Sequence, residues 1–334
     1  MPSRDSPAPP AHAAMPTRRR FLAALGAASA LGMPGWQLPP ADRDGLRHEW
    51  RGTALGAPAR ITLHHFDRIR GVAALEVCRA EIDRLENEFS LYRADFALSR
   101  LNREGELLRP SLDMRRLVEQ SLRFGAATGG RFDITIQPLW RLLAESAGTP
   151  DRRAAEAALG LVDYRQVEAA VGRIAFAREG MAATLNGIAQ GYVTDRIADL
   201  LQDLGFAHVL INAGEFRAAT SQADDSPWRI ALRHPPFPDR TYPLATGALA
   251  TSGGHGTRLS ADGQINHLLD PATGASAPLW RTVTVAAPRA SDADALSTAL
   301  CLCAADERPS LLQAVADACA IVTEPGAAAW EARS

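Results

Sequence analysis

The chain has no lysine: all 36 basic side chains among its 334 residues are arginines. That absence removes Schiff-base chemistry and the lysine clamp on phosphate from the functions open to it. Aromatic residues make up only 6%, yet the hydrophobic fraction is 46%, and a chain of this length can bury a full core as one large domain or two lobes. The net charge of -2 leaves no excess of positive charge for a polyanion, so nucleic acid is not an expected partner. Cysteine is scarce as well. Cys78, Cys301, Cys303 and Cys319 fit no metal-ligand spacing. An oxidising compartment would permit a disulfide among them, while Cys301 and Cys303, in an apolar helical run, read as small buried hydrophobes.

Long apolar runs are also missing, since the one at residues 22–31 falls short of the ~20 residues that span a bilayer. It follows Thr17-Arg18-Arg19-Arg20-Phe21 and precedes Met33-Pro34-Gly35, the arrangement of a twin-arginine export signal. Residues 1–40 are therefore read as signal peptide and linker, and the protein is expected in the periplasm after passage through the Tat export machinery. That route carries proteins that fold or load a ligand before they cross. Residues 32–48, rich in proline and polar side chains, read as a linker, and 48–326 as the functional domain.

Alternation with period two predicts a strand over 59–65, and an apolar stripe through Leu75, Cys78, Ile82, Leu85 and Phe89 predicts a helix over 71–88. Further helices are expected over 112–127, capped by Gly129 and Gly130, and over 151–159, 188–204, 292–304 and 309–318. Strands are expected at 208–212, within 228–250, at 283–285 and at 319–323, the last closing the chain. The order is neither strictly βαβ nor strand-only, so the fold class is α+β.

Three polar stretches carry the chemistry. N-H-L-L-D-P-A-T-G at 266–274 contains a turn: Asp270 can bond its own backbone, Pro271 fixes φ and Gly274 permits positive φ. His267 beside it is a candidate proton shuttle or phosphate ligand, although a histidine near a turn is often only solvated. T-L-N-G-I-A-Q-G-Y-V-T-D at 184–195 leads small residues into a helix, with free N–H groups for an anion and carbonyls for a cation. In S-D-A-D-A-L-S-T-A-L at 291–300, Asp294 and Thr298 are one helical turn apart, a hard-oxygen pair suited to Mg²⁺. Asp292 or Asp294 could equally cap that helix. Tyr92 and Phe132 could stack on a planar ring or belong to the core, and Asp133 could be a strand-end cap.

Taken together, Ser90-Leu91-Tyr92, Gly130 to Leu139, Thr184 to Asp195, His267 to Gly274 and Ala293 to Ala299 resemble, in order, the motifs of the ApbE family of flavin transferases. The resemblance covers residues 50 to 324. It implies two α/β lobes with mixed sheets and the flavin site between them, and a reaction that moves FMN from FAD onto a threonine or serine of a target flavoprotein, releasing AMP. It also implies that Asp294, Thr298 and the carbonyl of Gly187 ligate Mg²⁺. Flavin contacts fall on Tyr92, Arg131, Phe132, Asp133, Thr184, Gln190 and Leu268. His267 is the candidate for proton transfer, with Asp294 the other catalytic candidate. Thr184 and Gln190 replace the family's aspartate and its lysine or glutamate, and Ala213-Gly214-Glu215 replaces two glycines and an acid. The sequence around 184–196 is similar to the NosX branch, which implies a role in maturation of nitrous oxide reductase and a membrane-bound NosR-like regulator as the target. Loss of two charges leaves open a flavin carrier without catalysis, or a metal-dependent FAD pyrophosphatase.

Overall fold

The structure, a computed structural model, describes residues 46–233, 237–326 and 329–334. The expected export signal and most of the expected linker lie outside them. The described residues form one compact unit.

Its centre is an eight-stranded sheet built from β1 (Leu46–Ala54), β2 (Ala57–His65), β6 (Val209–Asn212), β7 (Phe216–Ala218), β10 (Gly247–Gly253), β11 (Thr282–Ala287), β12 (Cys319–Thr323) and β13 (Trp330–Arg333), in that spatial order. Every pairing in it is antiparallel. Period-two alternation explains how the sheet carries a layer on each face. Ile61, Leu63, Val209, Ile211, Ala250, Val283, Val285, Ala320 and Val322 point into the main core. Leu210, Leu249, Ala286 and Ile321 point the other way, into a smaller cluster with Trp228, Ile230, Leu232 and Leu244. That second layer is a hairpin of β8 (Trp228–Leu232) and β9 (Arg240–Leu244).

On the main-core face lie α1 (Arg68–Phe89), α6 (Ala189–Asp203) and α7 (Ala290–Leu302). The predicted stripe of α1 is buried as read, Leu75, Cys78, Ile82, Leu85 and Phe89 all facing inward, and Asp67 caps its start by accepting from the N–H groups of Ile69 and Arg70. The remaining helices are α2 (Ala97–Glu104), α3 (Leu112–Ala127), α4 (Gln137–Glu145), α5 (Arg152–Leu159) and α8 (Arg308–Leu312). A separate three-stranded sheet joins β3 (Glu106–Leu108), β5 (Arg173–Phe176) and β4 (Val167–Ala170).

Several expectations need correction. Residues 46–48 belong to β1, not to a linker: paired along β2, they are held by ladder hydrogen bonds that composition does not reveal. The helix expected over 309–318 is only Arg308–Leu312, because backbone turns close it and positive φ at Asp317 turns the chain into β12. Nor does 319–323 close the fold, since β13 pairs beyond it. All four cysteines are free. Burial pushes the thiols of Cys78 and Cys301 up to about 12, as expected of inert core residues.

Candidate active site

A cleft of about 650 Å³ opens between the helical layer, the end of β10 and the β8–β9 hairpin. That volume is in the range of small-molecule and cofactor sites. Its floor is made where α6 meets α7. Gly191, in the first turn of α6, lies so close to the start of α7 that a Cβ there would come within 2.3 Å of the carbonyl oxygen of Ala290. The N–H of Gly191 donates to Asp294 at 3.0 Å. No side chain of α7 caps its own start; Asp195 of α6 does so, accepting from Ala290 N at 2.9 Å, Ser291 N at 3.0 Å and the Ser291 hydroxyl at 2.9 Å. Arg217 and Arg289 lie at 3.1 and 3.3 Å from the same carboxylate, so its charge is both paired and hydrogen-bonded, as burial demands. Neither Asp292 nor Asp294 is the cap. Asp292 accepts from Gln120 instead.

This close approach brings the oxygens of Asp294 and Thr298 to the cleft beside Gly187, where a Cβ would stand 3.2 Å from the Thr298 hydroxyl. A second acid, Glu215, enters from the turn before β7 and accepts from the N–H of Thr251 at 3.1 Å. Both carboxyls are buried. Desolvation pushes Asp294 up to about 7, and desolvation followed by the charge of Asp294 pushes Glu215 well above the usual carboxylate range. Two adjacent acids that resist ionising are a pair that a divalent cation would relieve, and carboxylate, hydroxyl and backbone carbonyl are the hard donors that Mg²⁺ takes alongside water and phosphate. Among the described residues, no group of three or more His, Cys, Asp or Glu forms a metal cage by itself.

The mouth is wired more loosely. His267 and His255 both line it, and the Nδ1 atoms of both are buried without a hydrogen-bond partner. Gly256 leaves room for the His267 ring, whose Cε1 a Cβ would approach to 2.5 Å. Desolvation, with a smaller contribution from the charge of His255, holds His267 below its ordinary value. It is thus a largely enclosed neutral imidazole, not the solvated histidine that a turn would suggest. The turn itself forms as read: the N–H groups of Ala272 and Thr273 donate to the Asp270 side chain, and Gly274 has φ +74°. Asn266, fully buried, anchors it by accepting from Leu268 N and donating to the carbonyl of Ala277.

Of the other sequence candidates, Arg131, Phe132, Asp133, Thr184, Gln190 and Leu268 all line the cleft. Arg131 is engaged by Asp270 at 2.8 Å and Glu307 at 2.7 Å, and Phe132 packs edge-on against Phe124 in the core. Asp133 does not cap a strand. It caps the 3₁₀ turn Ile134–Ile136 through Thr135 N and also accepts from Tyr164 N, since Pro138 opens a helix just beyond. Gln190 lies over Gly214, whose φ of +106° and lack of a Cβ leave room for the carboxamide. Tyr92 is not in the cleft: it is 77% exposed, with its hydroxyl over Gly56. It neither lines the cleft nor joins the core, because the loop after α1 turns it outward. Sequence reading left out Glu215 as a site residue, together with His255, Thr251 and Ser252. The stretch Ala250-Thr251-Ser252-Gly253-Gly254-His255-Gly256, small and polar where a strand should end in a plain turn, was the available signal.

The fold and site together define an antiparallel α+β protein whose cleft gathers hard oxygen donors from Glu215, Asp294 and Thr298 with the imidazoles of His255 and His267, a lining suited to a polar small molecule. The model of the ApbE family matches residues 55–322, and the chain belongs to that family. Among its relatives are the FAD:protein FMN transferase of Klebsiella pneumoniae (strain 342), 28% identical over 271 residues covering 75% of this chain and 76% of that one, and the protein of the same name from Escherichia coli (strain K12), 26% identical over 296 residues, 82% and 84%. Among solved structures, the ApbE protein of Thermotoga maritima superposes with a TM-score of 0.77 at 27% identity, covering 86% of this chain and 97% of that one. The apo flavinyl transferase ApbE of Pseudomonas stutzeri gives 0.74 at 26% identity, covering 86% and 95%.

Proposed function

We propose that this protein is an Mg²⁺-dependent FAD:protein FMN transferase, joining FMN through a phosphoester to a threonine or serine of a target flavoprotein with release of AMP. The observation that carries this reading is the convergence of Asp294 and Thr298 with Gly187, more than 100 residues away in sequence, on the floor of one dinucleotide-sized cleft in a chain of this family. Asp294, Thr298 and the Gly187 carbonyl would hold Mg²⁺, whose contribution when bound is to neutralise the diphosphate and the charge that develops on it. The neutral imidazole of His267 accepts the proton of the target hydroxyl. As the hydroxyl oxygen bonds to the FMN phosphorus, the bridging P–O bond breaks and its electron pair leaves with AMP. Gln190, with no charge to oppose the diphosphate, and the Leu268 backbone beside His267 orient the flavin end.

The wider setting belongs to the same reading. The twin-arginine pattern at the N-terminus supports periplasmic action after Tat export, and the segment 184–196 supports a part in nitrous oxide reductase maturation, with a membrane-bound NosR-like regulator as the target.

The experiment is to incubate the protein with FAD, Mg²⁺ and an acceptor domain, then read covalent flavin by in-gel fluorescence and AMP by chromatography. Labelled acceptor with equimolar AMP is expected. Free FMN with AMP would make the protein a pyrophosphatase, and bound flavin without AMP would make it a carrier.

A further inference from the structure

A second groove, of about 580 Å³, adjoins the cleft and shares Phe216 and Ala231 with it. It lies on the sheet face away from the helices, where the β8–β9 hairpin stops short of covering β1 and β2. Its floor is set by register: Arg47 of β1 faces His64 of β2, and Arg60 and Thr62 of β2 face Asn212 and Leu210 of β6. Its wall is β8, whose residues alternate buried and exposed, so that Arg229 and Ala231, with Arg233 just past the strand's end, present outward. Arg229 lines the groove, Ala231 both cavities, and Arg233 the cleft, which makes one strand face a continuous track from one to the other.

The groove lining holds three arginines, Arg47, Arg60 and Arg229, and no carboxylate. Glu49 beside it is shared among Arg47, Arg51 and Arg60, one negative charge against three positive. The cleft lining is mixed instead, with Asp133, Glu215 and Asp294 beside Arg131 and Arg233. We propose that this arginine-lined groove receives an acidic stretch of the acceptor polypeptide next to the residue that takes the FMN. The proposal rests on the transfer reading above, because only a transferase needs a second, polymeric substrate whose hydroxyl reaches the diphosphate. An acceptor chain entering the cleft must also leave it, and an extended segment, rising about 3.3 Å per residue, runs along β8 from Arg233 past Ala231 to Arg229. Arginine clusters of this kind steer and orient acidic partners, mainly through the association rate and its salt dependence.

The test uses two fluorescein-labelled peptides, each ending in Gly-Gly-Ala-Thr, one preceded by three aspartates and the other by three lysines. Fluorescence polarisation is read on the FAD-loaded full chain at low and high salt. The aspartate peptide is expected to bind in a salt-sensitive way and the lysine peptide not to. Arg229→Glu, an exposed position, and Arg60→Gln should each weaken the aspartate peptide by about five- to tenfold with unchanged thermal melts and unchanged FAD affinity. Equal binding of both peptides, or indifference to Arg229→Glu, overturns the proposal. So does weaker FAD binding in the variants, which would assign the groove to the nucleotide. Peptide binding needs no chemistry, so absence of AMP release with the peptide results intact would count against the transfer reading and not against the groove.

Discussion

The floor and the mouth of the cleft are built on opposite principles. At the floor the two carboxylates have partners inside the protein: Asp195 takes three donors and two arginines, and Asp294 takes the Gly191 N–H. At the mouth, His255 and His267 keep a buried ring nitrogen without one. Buried polar atoms are costly when unsatisfied, so these two ring nitrogens are where a bound ligand would gain most. The lesson is a division of labour in which the floor fixes oxygens in place before anything binds, while the mouth is finished by what binds.

The largest expected effect comes from breaking the floor. Asp195→Ala uncaps α7 and leaves Arg217 and Arg289 without their shared partner, which should cost about 3–5 kcal/mol, the usual loss when one member of a buried pair is removed; a thermal melt that stays within a degree of the parent would show that α7 does not depend on this carboxylate. Next is Asp294→Asn. Because burial already disfavours this charge, the melt in EDTA should hold or rise, while AMP release falls by about 10²–10³-fold and the stabilisation conferred by Mg²⁺ disappears. Retained turnover would remove Asp294 from the chemistry.

At the mouth, His267→Gln should reduce turnover by about 10²-fold with little change in FAD affinity. The pH dependence has a definite sign. The folded-state value of His267 lies below the ordinary 6.5, so the unfolded chain binds the proton first. The stability that this neutral imidazole contributes is therefore present above about 6.5 and is lost as pH falls through the lowered value. Activity should fall on its acid limb over the same window, and a His267→Gln profile that keeps that limb would point to another group. The smallest effect is expected from Tyr92→Phe, within about twofold in FAD affinity, because the hydroxyl faces Gly56 outside the cleft; a tenfold loss would mean that the loop closes over the flavin.

How legible this was in the sequence follows the same division. Elements with a clean period were readable: α3 falls on residues 112–127 as expected, and the turn at Asp270 forms with the donors its residues dictate. The floor positions Asp294, Thr298 and Gly187, which do line the cleft, were readable because D-x-x-x-T on a helix and a glycine opening another each have a local signature. The link between them was not, since the cap from Asp195 onto Ala290 spans 95 residues and has no local mark. β1 escaped notice because an edge strand with Arg47, Glu49 and Arg51 on one face looks like linker until its ladder partner is known. Tyr92 shows the converse: a motif match assigns a residue type, but the backbone around it decides which way the ring points.

The account stands most directly on one map. A crystal soaked with FAD and Mn²⁺ in place of Mg²⁺ should give an anomalous peak bounded by the Asp294 carboxylate, the Thr298 hydroxyl and the Gly187 carbonyl, with the diphosphate on its open side. FAD seated in the cleft with no peak there, or with the ion held elsewhere, would contradict it.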